Sequence, residues 1–114
     1  LHTVPGSPQT IMAGLNCQTP SLISFPIIRD TASFYGTLTD NVARAGMRDL
    51  ANPTGGDSKI VSGESGVAAF AYVNAVLQDQ RLREKLKLDT AVRILVINTE
   101  GDTDEQVYLK IIGG

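Results

Sequence analysis

Three short stretches hold the side chains best suited to chemistry: residues 10–17 (Thr-Ile-Met-Ala-Gly-Leu-Asn-Cys), 62–66 (Ser-Gly-Glu-Ser-Gly) and 98–104 (Asn-Thr-Glu-Gly-Asp-Thr-Asp). The last two mix hydroxyls, carboxylates and an amide with glycines, which let a backbone come close to a ligand. Such loops suit a small polar molecule held by hydroxyls and main-chain N–H groups. Each also has a plainer use. Ser65 can cap a helix that follows it, and Thr103 or Asp104 can cap another. Capping has no need of Glu64, Asn98 and Thr99, however. Residues 10–17 read equally as a loop lining the core, and spacing alone leaves these alternatives open.

Other chemistries fail on residue types. Gly63-Glu64-Ser65-Gly66-Val67 lacks the last glycine of a nucleophile elbow, and the one histidine, His2, lies in a terminus ill suited to a general base. Neither a Gly-x-x-x-x-Gly-Lys-Ser/Thr phosphate loop nor a Gly-x-Gly-x-x-Gly after a strand occurs. One His2 and one Cys17 cannot build a His/Cys zinc cage or an internal disulfide. Cys17, with no basic neighbour in sequence, reads as a small buried hydrophobe. Ten Lys and Arg against twelve Asp and Glu give a net charge of -2, interspersed along the chain, so no nucleic-acid footprint is expected. The longest apolar run, residues 67–77, is broken by Asn74 and is about half a bilayer span, so no membrane segment is expected either. The cytoplasm is the expected compartment.

The 114 residues, 42% hydrophobic and 19% charged, suit one domain or a piece of one. Residues 1–10 carry Pro5, Gly6 and Pro8 and predict an extended lead-in. Leu22, Ile23, Ile27 and Ile28 predict a helix from Ser21 to about Ala32, with Pro26 in its first turns. Residues 34–39 alternate and predict a strand leading to a helix capped by Asp40. An amphipathic helix over residues 41–51 then buries Ala43, Met47, Leu50 and Ala51, and residues 52–57 stop it. After Gly66 comes a helix apolar on nearly every side, expected in the core. Residues 79–88 predict a charged helix, residues 92–97 (Val-Arg-Ile-Leu-Val-Ile) a strand covered on both faces, and residues 105–112 a last helix.

This alternation predicts an α/β class with parallel pairing. Only two strands are clear, and a two-stranded parallel sheet leaves its edges and faces unsatisfied. The missing strands would come from the rest of a longer chain or from copies of this one. Because the sequence begins at Leu1 without a methionine, it is read as part of a longer chain.

Taken together, the three loops resemble one family, the fold type II pyridoxal-phosphate lyases, and within it the diaminopropionate ammonia-lyases. Thr10-Ile11-Met12-Ala13-Gly14-Leu15 is similar to the Thr-Ile-Ala-Asp-Gly-Leu loop of threonine dehydratases, in the Met-Ala form of the ammonia-lyases. Asn16-Cys17-Gln18-Thr19-Pro20-Ser21 continues it, with Gln18 in place of a glycine. Ser62-Gly63-Glu64-Ser65-Gly66-Val67-Ala68-Ala69 resembles the Glu-Pro-Ser-Gly-Ala-Ala segment that opens a core helix in this fold. The wording of residues 99–104 is the most specific of the three, within a loop of the Ser-Gly-Gly-Asn-Val-Asp type.

The resemblance implies a fragment of a fold type II (tryptophan synthase β-like) parallel sheet flanked by helices. Residues 1–114 would be the C-terminal part of the large cofactor-binding domain, the rest of the parent chain carrying the Schiff-base lysine and the phosphate loop. Lys59, Lys85, Lys87 and Lys110 fall outside any Schiff-base motif, so this stretch alone is expected to be inactive. The implied parent converts 2,3-diaminopropionate to pyruvate and ammonia by α,β-elimination with pyridoxal 5'-phosphate, and works as a homo-oligomer, a dimer by family habit. On the cofactor side the resemblance places Thr99 at the pyridine nitrogen with Asn98 as an adjacent candidate, and Glu64, Gly63 and Ser62 near the ring. On the side of the amino-acid substrate it places Ala13, Gly14 and Met12. The alternative is a non-catalytic α/β module that binds an anionic metabolite or associates with itself.

Overall fold

The computed structural model describes residues 2–6 and 9–114. Leu1, Ser7 and Pro8 lie outside that set, and with them part of the lead-in expected over residues 1–10. A 3-10 turn at Ala13–Leu15 precedes five α-helices: α1 (Ser24–Thr31), α2 (Asp40–Ala51), α3 (Ala68–Gln78), α4 (Gln80–Lys85) and α5 (Glu105–Ile112). Ser21 starts α1, its hydroxyl accepting from the N–H groups of Ile23 (3.3 Å) and Ser24 (3.2 Å). Pro26 sits in the first turn of α1, where a missing N–H removes no helical bond. Asp79 caps α4 by accepting from Leu82 N–H, and Asp104 caps α5 by accepting from Val107 N–H, each at 3.0 Å.

The core lies where α2 packs on α3 and α5. Ala43, Gly46, Met47 and Ala51 recur at intervals of three and four on one face of α2, and all are buried. They meet Val67, Ala68 and Ala71 from the start of α3, Tyr108 and Ile111 from α5, and Met12 from the loop before the 3-10 turn. The Tyr108 hydroxyl has no hydrogen-bond partner among the described residues. Gly46 sets the approach of the helices, since a Cβ there would lie 2.7 Å from the Cβ of Ala71 and 3.0 Å from Cγ2 of Val67. Glycine inside a helix costs roughly 0.5–1 kcal/mol against alanine. Full burial of Met47, only 1% exposed, is worth about 1.5–3 kcal/mol, so the close packing outweighs that cost.

The expected α/β fold, a parallel sheet flanked by helices, is overturned: among the described residues there is no strand. A strand exists only when a second segment supplies its hydrogen-bond ladder. Residues 92–97 have the β-branched composition of a covered strand but no such partner, and Leu95 is 88% exposed. Residues 34–39 are no strand either. Phe34 and Tyr35 are exposed, Gly36 lies so near the Tyr72 ring that a Cβ would run into it, and Leu38 packs at the core margin. Without a sheet the expected edge deficit does not arise. What stands uncovered is apolar side-chain surface.

Three smaller expectations also change. Helix α3 is buried through Ala68, Ala71 and Val76, while Ala69, Ala75 and Leu77 are exposed, so its apolar circumference is covered on one side only. Asp40 is the first residue of α2 rather than its cap, because its carboxylate is engaged elsewhere. Cys17 is free and exposed, since residues 16 and 17 leave the core after Met12. No helix among the described residues is long and apolar enough to cross a membrane.

Candidate functional site

The three loops picked out by residue type meet in space. Residues 61–66 approach the start of α3, and residues 98–101 run alongside them. The Asn98 amide donates to the Val61 carbonyl (2.9 Å), and its oxygen accepts from the Ser62 hydroxyl (2.9 Å). The Gly63 N–H donates to the Glu100 carbonyl (3.0 Å). One carboxylate oxygen of Glu100 then accepts from the Ser65 N–H (2.7 Å) and the Gly66 N–H (3.2 Å). A carboxylate on the free N–H groups before a helix is favoured by charge as well as hydrogen bonding. Glu100 thus caps α3 across a gap of 34 to 35 residues.

Two glycines make this junction possible. A Cβ on Gly63 would lie 2.8 Å from Cγ and Cδ of Glu100, and one on Gly66 would lie 2.7 Å and 2.8 Å from the Glu100 backbone N and O. Ser62, 1% exposed, and Gly63 are buried beneath the junction, and Glu64 is half-buried on the turn beside it.

The third loop is attached through the hydroxyl that was the capping candidate. Ser65 Oγ accepts from the Gly14 N–H at 2.9 Å, and α3 has no side-chain cap of its own. At its other end the loop is held by Asp40, whose carboxylate accepts from the Thr10 hydroxyl (2.6 Å) and the Ile11 N–H (3.2 Å). The Thr10 hydrogen bond holds the Asp40 carboxyl below the usual carboxylate range; the Ile11 N–H and the Arg44 charge act in the same direction, and partial burial opposes them. Met12 is buried in the core, which leaves Ala13 and Gly14 as the exposed part of the loop.

The residues expected near a ligand therefore divide. Ser62, Gly63 and Asn98 are joined to one another and to neighbouring backbone. Thr99, between two clamped residues, is exposed, and its hydroxyl has no partner among the described residues. Residue types missed Glu100, because its partners are main-chain N–H groups distant in sequence. The only available signal was a carboxylate beside glycine in one loop and two N–H groups beside glycine in another. A cleft of about 580 Å³ lies elsewhere, lined by Asp49, Leu50, Thr54, Asp57, Phe70 and Asn74, and takes in none of these residues.

The proteins to which this chain is similar are ammonia-lyases. The particular relatives are diaminopropionate ammonia-lyases. The chain is 44% identical over 112 residues to that of Escherichia coli K12, covering 96% of this chain and 28% of the enzyme. It is 41% identical over 115 residues to that of Salmonella typhimurium LT2, covering 97% and 28%. Among solved structures, the Escherichia coli enzyme in complex with an aminoacrylate-PLP azomethine reaction intermediate superposes with a TM-score of 0.85 at 44% identity, over 90% of this chain and 28% of that one. The same enzyme in complex with D-serine gives a TM-score of 0.82 at 42% identity, over 87% and 26%. No protein-family profile matches the chain. The likeness read from the three loop motifs is borne out, and the chain spans about 28% of the length of the curated relatives it matches.

Proposed function

We propose that this chain forms the pyridine-facing wall of a pyridoxal-phosphate-dependent ammonia-lyase that converts 2,3-diaminopropionate to pyruvate and ammonia. It would be the C-terminal part of the large cofactor-binding domain, in a cytoplasmic enzyme that assembles as a homodimer, with the lysine and the phosphate site on the remainder of the parent. The observation that carries the reading is the joining of the three loops by hydrogen bonds, with Thr99 exposed between two bonded residues, in a chain 44% identical over 96% of its length to such an enzyme. The cofactor, when bound, supplies the electron sink for α,β-elimination.

The residues present fit part of that group. Thr99 offers a ring nitrogen an unengaged hydroxyl, on a segment fixed at both flanking residues. A hydroxyl is a weak partner there and leaves the nitrogen neutral, which suits elimination. Gly63 and Gly66 are occupied in contacts with Glu100 and Asn98, so their function is packing rather than cradling a phosphate. Ala13 and Gly14 form the substrate side: small and exposed, they leave room beside a backbone held by Ser65. Met12 holds that side in place from the core. Glu64 adds a carboxylate near the ring, while Ser62 acts from beneath through Asn98.

The test is pyruvate and ammonia release by the full-length protein with 2,3-diaminopropionate and pyridoxal phosphate. The expected result is turnover, abolished by leaving out the cofactor. A folded protein that binds the cofactor and releases pyruvate from no diamino or hydroxy amino acid would overturn the reading.

A further inference from the structure

Residues 98–100 bear three polar side chains in a row, and they part in direction. Asn98 turns onto Val61 and Ser62, and Glu100 turns onto Ser65 and Gly66. Thr99, between them, is exposed and unpartnered among the described residues. With the side chains on either side of it bound to residues 61–66, Thr99 is the one of the three left exposed. The Gly63 N–H bond to the Glu100 carbonyl fixes the segment a third time. The Glu100 carboxylate spans two loops to bind the N–H groups of Ser65 and Gly66 before α3, while the Ser65 hydroxyl is taken by the Gly14 N–H.

The geometry points to Glu100 as a positioning residue, with Asn98 as its counterpart, that fixes the direction in which Thr99 presents its hydroxyl to the cofactor ring. This inference rests on the reading of Thr99 given above. It also makes Asn98 a support for the ring-nitrogen contact rather than an alternative to it. A hydroxyl on an unclamped loop would give up orientational freedom each time the ring bound. The two clamps remove that freedom before binding.

The test is a double-mutant cycle on the full-length protein, titrating the apo form with pyridoxal phosphate and following the absorbance and fluorescence of the bound ring. Glu100→Ala and Thr99→Val are each expected to weaken binding by up to about tenfold, the upper end of one ordinary hydrogen bond, and to shift the bound spectrum alike. Combined, they should be no more than about twofold worse than Thr99→Val alone, because coupled residues are non-additive. Glu100→Gln keeps the acceptor oxygen and should restore binding to within about threefold. If Glu100→Ala does not fold, Glu100→Asp, too short to span the loops, takes its place in the cycle. Equal losses in both backgrounds, or Glu100→Ala (or Glu100→Asp in its place) binding like the parent, would overturn the inference.

Hydrogen exchange on the apo protein reads the clamp without the cofactor. The amides of Ser65 and Gly66 should exchange faster in Glu100→Ala, and unchanged exchange would remove the clamp. A parent protein that binds no pyridoxal phosphate would overturn the reading of Thr99 and this inference with it. Normal binding with an additive cycle would overturn this inference alone.

Discussion

Two regions of this molecule are both rich in apolar residues and are treated in opposite ways. Around α2, α3 and α5 the apolar side chains are buried against one another, and the loops above them are joined by hydrogen bonds across the chain. In α1 and in residues 92–97 the apolar side chains face outward: Ile23 is 83% exposed and Leu95 88%. Helix α1 has no packing contact with another helix among the described residues. The Cα radius of gyration, 15.4 Å, exceeds the roughly 13 Å of a compact domain of this length. The buried side chains of the first region find their partners within it, whereas the second leaves apolar surface exposed, the kind of surface that marks contact sites when it is contiguous. The hydrogen bonds of the candidate site lie among the loops of the first region, although its residues 98–100 follow directly on the second.

The largest expected effect tests that division directly. In the 114-residue chain, Met47→Ala should cost about 2–5 kcal/mol, as large-to-small changes in a closed core do. Leu95→Ala removes a side chain of similar size from the open region and should stay within about 0.5 kcal/mol. Urea unfolding followed by circular dichroism measures both. Equal losses would break the comparison, and so would a chain with no cooperative transition, because the contacts of the first region are internal.

A smaller effect separates two glycines in neighbouring segments. A Cβ at Gly66 meets the backbone of Glu100, while one at Gly101 meets nothing within 4 Å. Gly66→Ala is therefore expected to cost about 1–3 kcal/mol, the range of overpacking. Gly101 has no positive φ, so Gly101→Ala should be neutral or stabilise by up to about 1 kcal/mol through the unfolded state. Thermal melts of the two variants would sharpen the boundary of the clamped junction. Destabilisation by Gly101→Ala would extend that boundary beyond Glu100.

Local pattern made much of the first region legible. The spacing of Ala43, Met47 and Leu50 gave α2, the capping preference of Asp104 gave the start of α5, and three motifs gave the loops that meet. What failed depends on partners distant in sequence. The β-branched run at 92–97 states a preference for a covered, paired segment, and no described segment pairs with it. Ser65 has the residue type and position of a cap, but its hydroxyl is engaged by Gly14, 51 residues away. Glu100 took over the capping, and nothing near it in sequence marks the N–H groups it reaches.

The last and smallest effect concerns how the loop of residues 10–15 is held to the closed region. Two contacts fasten it, Asp40 at one end and Ser65 at the other, and only the first titrates. The Thr10 hydroxyl, then the Ile11 N–H and Arg44, stabilise the ionised carboxylate, so the folded pKa of Asp40 is lowered. A carboxyl with a lowered folded pKa contributes its hold above the unfolded value of about 3.9. That hold is lost as the pH falls through the lower folded value. Between pH 7 and 5 the Ile11 amide shift, followed by NMR, should therefore be flat, and it should move only below the ordinary carboxylate range. Asp40→Asn should abolish that acid step while leaving the Gly14 amide bonded to Ser65. A midpoint at or above 3.9 would mean that the Thr10 bond does not act on the carboxylate, and the loop would then hang from Ser65 and the buried Met12 alone.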